Sequence, residues 1–475
     1  MSSLSLSPAP ALLRRGTPSW VATLVACLCA FMVVMDGAIV NIALPAMRQD
    51  LALSSVQLQW VVDVYLLLLG GFMLLAARAG DLYGRRAVLL WGLALFSAAS
   101  LAAGLANSAP MLLAARAVQG FAAAALATSP LAVIMAGHPQ GAGRERAIGL
   151  WAACAAMGSA FGVVAGGVLT SLWGWRWVMF VNVPAGVLLM AIVWVFLNPR
   201  NADSRGQALD VPGAVSLTLA LGALIFALAQ ATHDGWSEPS VQLALVVAGV
   251  ALPVFIMVQR RAREPLVRLE VLRLRNVPIG MLMIGGLGAV LTCSTYFLSQ
   301  ALQRIVGFDA WDTSLAMLPL ALTLAVAAML SRRLREAGFK RLPLVGGLTS
   351  AAGLAWLHGL PAQPSMLVDL LLPTSLVGIG CGLTLMSATQ AVLSGIPQKD
   401  SGLAAGLQNT ARQLGGAIGL ASLVALAHGV GLRSAGGAVL SQAAELAGYQ
   451  AAFLATALIS TASALLSLLL GHEEG

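Results

Sequence analysis

Residues 76–90, AARAGDLYGRRAVLL, set one aspartate and three arginines in a short turn between two runs that are each apolar enough to cross a membrane. What those flanking runs are decides the fold. Hydrophobic residues make up 59% of the 475-residue chain and charged residues 10%, with a mean hydropathy of +0.87, whereas soluble domains carry roughly 25% charged residues. The chain is therefore read as an integral membrane protein. A segment in hydrocarbon must satisfy its own backbone, which limits it to helices or a closed barrel. The runs here are continuous rather than alternating and reach the ~20 residues a spanning helix needs, so they are read as helices.

Working outward from the turn gives about fourteen spans: 20–46, 56–77, 87–106, 111–136, 148–171, 178–197, 210–230, 240–258, 277–300, 312–330, 342–360, 367–393, 402–427 and 449–470. The first twenty residues lack the apolar core of a cleavable signal, so the run from Trp20 is expected to be a true span. Cytoplasmic loops of membrane proteins carry excess Lys and Arg. With the N-terminus inside, 21 of the 27 basic residues fall in inside segments and four (Arg48, Arg176, Arg304, Arg433) outside, while Arg116 and Arg412 lie within spans. One span more or fewer would scramble that split, so both termini are expected in the cytoplasm of a multi-pass inner-membrane protein. The formal charge of +8 has the same origin, basic loops facing an anionic leaflet. These charges are scattered over short loops without interleaved aromatics, which argues against nucleic acid. Cys27, Cys29, Cys154, Cys293 and Cys381 all sit in apolar runs at no metal-ligand spacing, and neither a disulfide framework nor a metal is inferred.

The opening turn is thus cytoplasmic. Charge bias accounts for its arginines but not for Asp81 or Gly84. The turn after the tenth span, SRRLREAGFKRLPLV, repeats it faintly, with Gly338, Lys340 and Arg341 matching Gly84, Arg85 and Arg86 after one inserted residue. Echoes between halves mark transporters built from two bundles. The expected organisation is a tail (1–19), a six-helix bundle (20–197), a linker with extra helices seven and eight and a basic loop (198–276), a second six-helix bundle (277–470) and a short tail (471–475).

The turn resembles the loop signature of the major facilitator superfamily, G-x-L-A-D-x-x-G-R-R, with Asp81, Gly84, Arg85 and Arg86 in place and Ala77 at the first glycine. Other segments resemble its fourteen-helix drug:proton antiporter branch, the QacA and EmrB type. MDGAIVNIALP (35–45) is similar to L-D-x-T-I-V-N-V-A-L-P with Ala38 for Thr, RAVQG (116–120) to R-x-x-Q-G, and GVVAGG (162–167) to the antiporter motif G-P-x-x-G-G with Val163 for Pro. WGWRWVMFVNVPAG, GLAAGLQNTARQLGGAIGLA and Leu209-Asp210 also look like this branch. The resemblance covers roughly residues 20–470. It implies an all-α major facilitator fold of two six-helix bundles and an extra hairpin. It also implies alternating access driven by the proton gradient, without a cofactor. By the same resemblance Asp81 would pair with a helix N-terminus of the other bundle, and the helix-five motif would sit where outer closure prevents proton leak.

Charged side chains in mid-membrane cost roughly 2.5–3.5 kcal/mol on insertion scales and are functional candidates by default. Asp36 lies eight residues before Leu44 and Asp63 eight after Ser55, so at ~1.5 Å per residue both sit about 12 Å below the outer surface. Arg116 enters from that side too. Asp36, Asp63 and Arg116 are therefore candidates for a titratable cluster in which a cationic substrate displaces a proton. Burial favours the neutral form of an acid and a nearby guanidinium the charged form. Two alternatives stand: a fixed Asp36–Arg116 pair that locks packing, and an Asp63 that faces lipid. Gln59, Trp60 and Asp63 share one side of helix two by spacing.

Gly158, Gly162 and Gly166 recur every fourth residue with Gly167 beside them, a small-residue stripe for close helix approach, read here as the surface on which one bundle rocks against the other. Arg412 lies about 15 Å deep from the cytoplasmic side among Gln408, Asn409 and Gln413, and is read as a polar seam against the other bundle. Tyr296, Phe297 and Gln300 are candidates for the cavity wall. The expected function is export of amphipathic, cationic compounds in exchange for protons. The runner-up is export of an endogenous metabolite or siderophore. A membrane-embedded enzyme or receptor is disfavoured, since no nucleophile–base pair, metal set or phosphate loop is found. A periplasmic adaptor and an outer-membrane channel are left open as partners.

Overall fold

The computed structural model describes residues 18–138, 142–197, 209–262, 265–266, 270, 273–339, 341–393, 401–435 and 441–470. Their secondary structure is entirely helical. The first half holds α1 (Ser19–Leu51), α2 (Ser55–Tyr83), α3 (Arg85–Gly104), α4 (Ala109–Gly137), α5 (Ala142–Trp173), α6 (Arg176–Phe180) and α7 (Asn182–Phe196). A hairpin follows, α8 (Val211–Asp234) and α9 (Pro239–Arg261). The second half holds α10 (Asn276–Ala301), α11 (Ala310–Glu336), α12 (Leu342–His358), α13 (Leu372–Leu393), α14 (Ser401–Ser434) and α15 (Gln442–Leu466). Thirteen spans are long and apolar enough to cross a membrane, and the 17-residue α12 makes the fourteenth. With an even number of crossings the described chain begins and ends at one end of the molecule, called the near end below.

Local chemistry sets the helix limits. Ser54 starts α2 with a reciprocal cap, its Oγ accepting from Gln57 N at 3.1 Å while Gln57 Oε1 accepts from Ser54 N at 3.0 Å. Asp210, Asp309 and Ser441 cap α8, α11 and α15 with a single bond, each side chain accepting from the backbone N–H three residues on. The opening turn is shorter than the sequence suggests: α2 runs through Asp81 to Tyr83, and Gly84 alone breaks it, with φ 89°. Gly338, its counterpart in the second half, has φ 95°. A positive φ suits glycine because it has no Cβ. The echo between the halves is thus one of backbone conformation. The sixth span divides into α6 and α7 because Pro184 has no N–H to give to Phe180. Hydropathy also ends the thirteenth span at 427 and starts the last at 449, whereas α14 continues to Ser434 and α15 starts at Gln442. Hydropathy measures the slab; these ends project beyond it, held by the Ser441 cap and an Arg304–Glu445 ion pair at 2.7 Å.

The distribution of apolar packing fixes how the halves meet. In the half of the molecule away from the termini, one continuous core joins them, running from Ile39, Leu44 and Leu58 through Phe297, Leu298 and Met317 to Phe453. Polar contacts cross there as well. Ser299 Oγ donates to the Asn41 carbonyl at 2.8 Å and Gln303 Nε2 to that of Ile42 at 2.9 Å. In the near half the cores separate, one around Tyr65, Met73, Phe96 and Leu126, others around Met283, Ile284 and Val392 and around Ala327 and Leu383. A near-half link between the bundles runs along the edge where Leu74 and Leu407 pack with Ala214 and Phe255 of the hairpin. The bundles are therefore closed at the far end and joined at the near end along the hairpin side.

Candidate functional site

Asp36 and Arg116 meet in the far half of the first bundle, both essentially without solvent exposure. Arg116 Nη1 donates to Asp36 Oδ2 at 2.7 Å and to Gln119 Oε1 at 3.0 Å, and its Nε donates to the Val61 carbonyl at 3.1 Å. Asn182 Nδ2 donates to the other Asp36 oxygen at 2.8 Å. Gln119 passes the network on to Ser100 at 2.7 Å, and the guanidinium lies 4.2 Å from the Tyr65 ring centroid. Five helices (α1, α2, α3, α4 and α7) are tied at one point, with both Asp36 oxygens and two of the three guanidinium nitrogens engaged. A buried pair holds its place only with good geometry and further hydrogen bonds, and both conditions are met.

Asp63 is equally buried but keeps different company. Gln59 Nε2, one turn earlier, donates to its Oδ2 at 2.7 Å, while Oδ1 has no partner. Asp63 lies within electrostatic reach of Cys293 and Tyr296 on α10 of the second bundle. The three charges thus divide into a closed Asp36–Arg116 network and a separate Asp63 with one bare oxygen. Trp60 parts from Gln59 and Asp63: it packs against the hairpin, its ring 6.5 Å from that of Phe226, and does not join their polar pair.

Tyr296, Phe297 and Gln300 line a cavity of about 60 Å³ at the far end, together with Arg304, Glu445 and Tyr449. Gln300 is buried and neither end of its amide has a partner. Phe297 stacks edge-on against Tyr296 and Phe453. On α14, Gln408 Nε2 donates to Thr389 of α13 at 2.7 Å, a bond inside the second bundle, so the expected seam against the first bundle does not pass through it. Asn409 also has a polar partner. Arg412, one turn after Gln408, is partly exposed and within electrostatic reach of Tyr65.

The glycines of α5 do two jobs rather than one. A Cβ on Gly158, Gly162 or Gly166 would lie 2.7, 2.8 or 3.0 Å from the carbonyl oxygens of Phe31, Met35 and Ile39, so this stripe presses on α1 within its own bundle. Gly167 is the one that meets the other bundle, where a Cβ would be 2.8 Å from the Ala310 carbonyl. At the near end Arg86 donates to the Trp194 carbonyl at 2.7 Å and stacks on that ring at 5.0 Å, and Arg85 has a partner too. The side chain of Asp81 and all of Lys340 lie outside the described residues.

Asn182, Gln119, Gln59 and Tyr65 complete these networks and were not singled out as site residues from the sequence. A polar residue in an apolar span was the available signal, but Asn182 and Gln119 reach partners 146 and 19 residues away on other helices, which spacing along one helix does not reveal. Among the described residues no group of His, Cys, Asp and Glu could hold a metal ion.

The family model for the Major Facilitator Superfamily matches residues 26–420. The chain is 35% identical over 451 residues to the cephamycin export protein CmcT of Amycolatopsis lactamdurans, covering 94% of this chain and 91% of that one. It is 37% identical to the puromycin resistance protein pur8 of Streptomyces alboniger, covering 86% and 82%. It is 31% identical to the tetracenomycin C resistance and export protein of Streptomyces glaucescens, covering 90% and 79%. A solved structure of an auto-inhibited POT family peptide transporter shares the fold, with a TM-score of 0.69 over 95% of this chain and 96% of that one at 16% identity. Fourteen helical spans among the described residues, a buried charged network and a family match over most of the length lead to one conclusion: the chain belongs to the Major Facilitator Superfamily and is a membrane transporter.

Proposed function

We propose that the chain exports amphipathic, cationic compounds across the cytoplasmic membrane in exchange for protons. The observation that carries this is the contrast between two equally buried carboxyls, Asp36 neutralised by Arg116 and Asp63 with no cation beside it and one free oxygen. Asp63 is the exchanging group, taking either a proton or the cationic part of the cargo, and mutual exclusion at one carboxyl is antiport. Asp36 and Arg116 hold the bundle around it. Positive-inside bias puts both termini in the cytoplasm, so the closed far end is the outer one and this conformation is the one that loads cargo from within. The cavity at Gln300 and Tyr296 leads protons from outside towards Asp63. Each proton moving inward contributes about 2.3 kcal/mol per 100 mV. The names of the export and resistance proteins above agree with this direction of transport.

The test uses inside-out vesicles with an acid interior and a trapped pH dye. Tetraphenylphosphonium or ethidium added outside should collapse the gradient with wild-type protein and fail to do so with Asp63→Asn. If no lipophilic cation moves protons although folded protein is present, the cation-exchange reading falls.

A further inference from the structure

Four ionisable side chains lie deep within the described membrane core, and two of them, the acid Asp63 and the base Arg412, have no counter-charge. Asp36 and Arg116 neutralise each other, and Asp63 has Gln59. Arg412 makes no hydrogen bond or ion pair with any described residue. Its guanidinium nitrogens are not sealed away, because they are absent from the buried unpartnered groups while Tyr65 Oη and Thr410 Oγ1, on either side, are among them. The Arg412 backbone packs tightly against α10, where a Cβ on Gly288 would strike its carbonyl. The side chain therefore leaves α14 on the face of Gln408, which bonds α13, and lies within electrostatic reach of Tyr65 of the first bundle. That places a partly exposed cation between the bundles, at the level where their cores begin to separate.

We infer that Arg412 is an anion-binding subsite and that the cargo carries a carboxylate or comparable acidic group that docks on it. A guanidinium in a low-dielectric opening lacks compensation until an anion arrives, and its planar fork suits a carboxylate in two-point contact. Asp63 lies near Cys293, whose sulfur would be 3.8 Å from a Cβ on Gly419. Gly419 is two helical turns from Arg412, about 10 Å. An amphiphile with an amine at one end and an acid at the other spans that distance. The preferred class is then zwitterionic. The anion subsite rests only on the chain being a transporter, while the zwitterionic class rests also on the proposed role of Asp63 as the site of the cargo's cation.

Rhodamine 110 carries a free carboxylate and rhodamine 123 is its methyl ester, so the pair isolates the acid. Binding to purified protein in neutral-headgroup nanodiscs is followed by fluorescence anisotropy for wild type, Arg412→Gln and Arg412→Lys, each checked for an unchanged thermal transition. Wild type should prefer rhodamine 110, and Arg412→Gln should weaken it about tenfold or more while leaving rhodamine 123 within about twofold, with Arg412→Lys between. A wild type without preference for the acid overturns the inference, as does a Gln variant that shifts both dyes alike. Anionic lipid that displaces rhodamine 110 from wild type but not from the Gln variant supports the same anion chemistry. A preference for the acid that exists only with anionic lipid present would assign the subsite to the headgroup and overturn the cargo reading.

Discussion

Arg116 serves three acceptors and a ring at once, and no smaller cation can copy that arrangement. Removing it strands Asp36 as a buried unpaired charge, which costs about 3–5 kcal/mol when one partner of a buried pair is lost. Arg116→Ala is expected to lower the unfolding temperature and the membrane yield as well as transport. Arg116→Lys keeps the charge but loses the fork, so it should fold and still transport at least tenfold more slowly than wild type, measured as ethidium efflux. Asp63→Asn belongs to a different class. Its amide oxygen still accepts from Gln59, so thermal stability should stay near wild type while coupling disappears. At this scale the sequence revealed which charges lie in the membrane, because ionisable residues stand out in apolar runs. It did not reveal that Arg116 chooses Asp36 over Asp63, since depth along two helices says nothing about rotation around them.

Helix α5 shows the same limit in another form. Its every-fourth-residue glycines announce a close helix contact, but spacing does not name the neighbour, and that neighbour is the Phe31–Ile39 stretch of α1 that carries Asp36. The stripe therefore sets the position of the Asp36 turn, with Gly162 against Met35 and Ala38 on either side of it. Gly162→Val would drive a side chain into the α1 backbone, and transport should fall to background with a marked loss of thermal stability. Gly149 on the same helix has nothing within 4 Å. Gly149→Ala should be neutral or raise stability by about 0.5–1 kcal/mol, the ordinary gain of alanine over glycine in a helix. A denaturation series on the two variants separates a packing stripe from a general intolerance of helix-five glycines. Hydropathy found each span here, yet the division at Pro184 and the long ends of α14 and α15 lie beyond what a slab of fixed thickness can encode.

For the whole molecule, one merged core in the far half, and separate cores linked only along the hairpin side in the near half, leave the bundles as two bodies joined most fully at the far end. Alternating access requires that contact to open. Gly70 of α2 and Gln413 of α14 face each other across the bundle boundary, with a Cβ on Gly70 3.0 Å from that of Gln413, close to the 3.5–4.5 Å that a disulfide bridges. In a background with the five native cysteines replaced by alanine, the pair Gly70→Cys and Gln413→Cys should cross-link on oxidation, stop efflux, and recover on reduction. Cross-linking without loss of efflux would mean that this boundary does not move. The central claim, exchange of a proton for a cation at one buried carboxyl, is tested most directly by counting protons. Purified protein in weakly buffered detergent is saturated with tetraphenylphosphonium while the pH is recorded. Release of about one proton per bound cation is expected, as competition for a single group requires, and none from Asp63→Asn; undiminished release from that variant, or cation binding to wild type without release, would mean that Asp63 does not exchange the two.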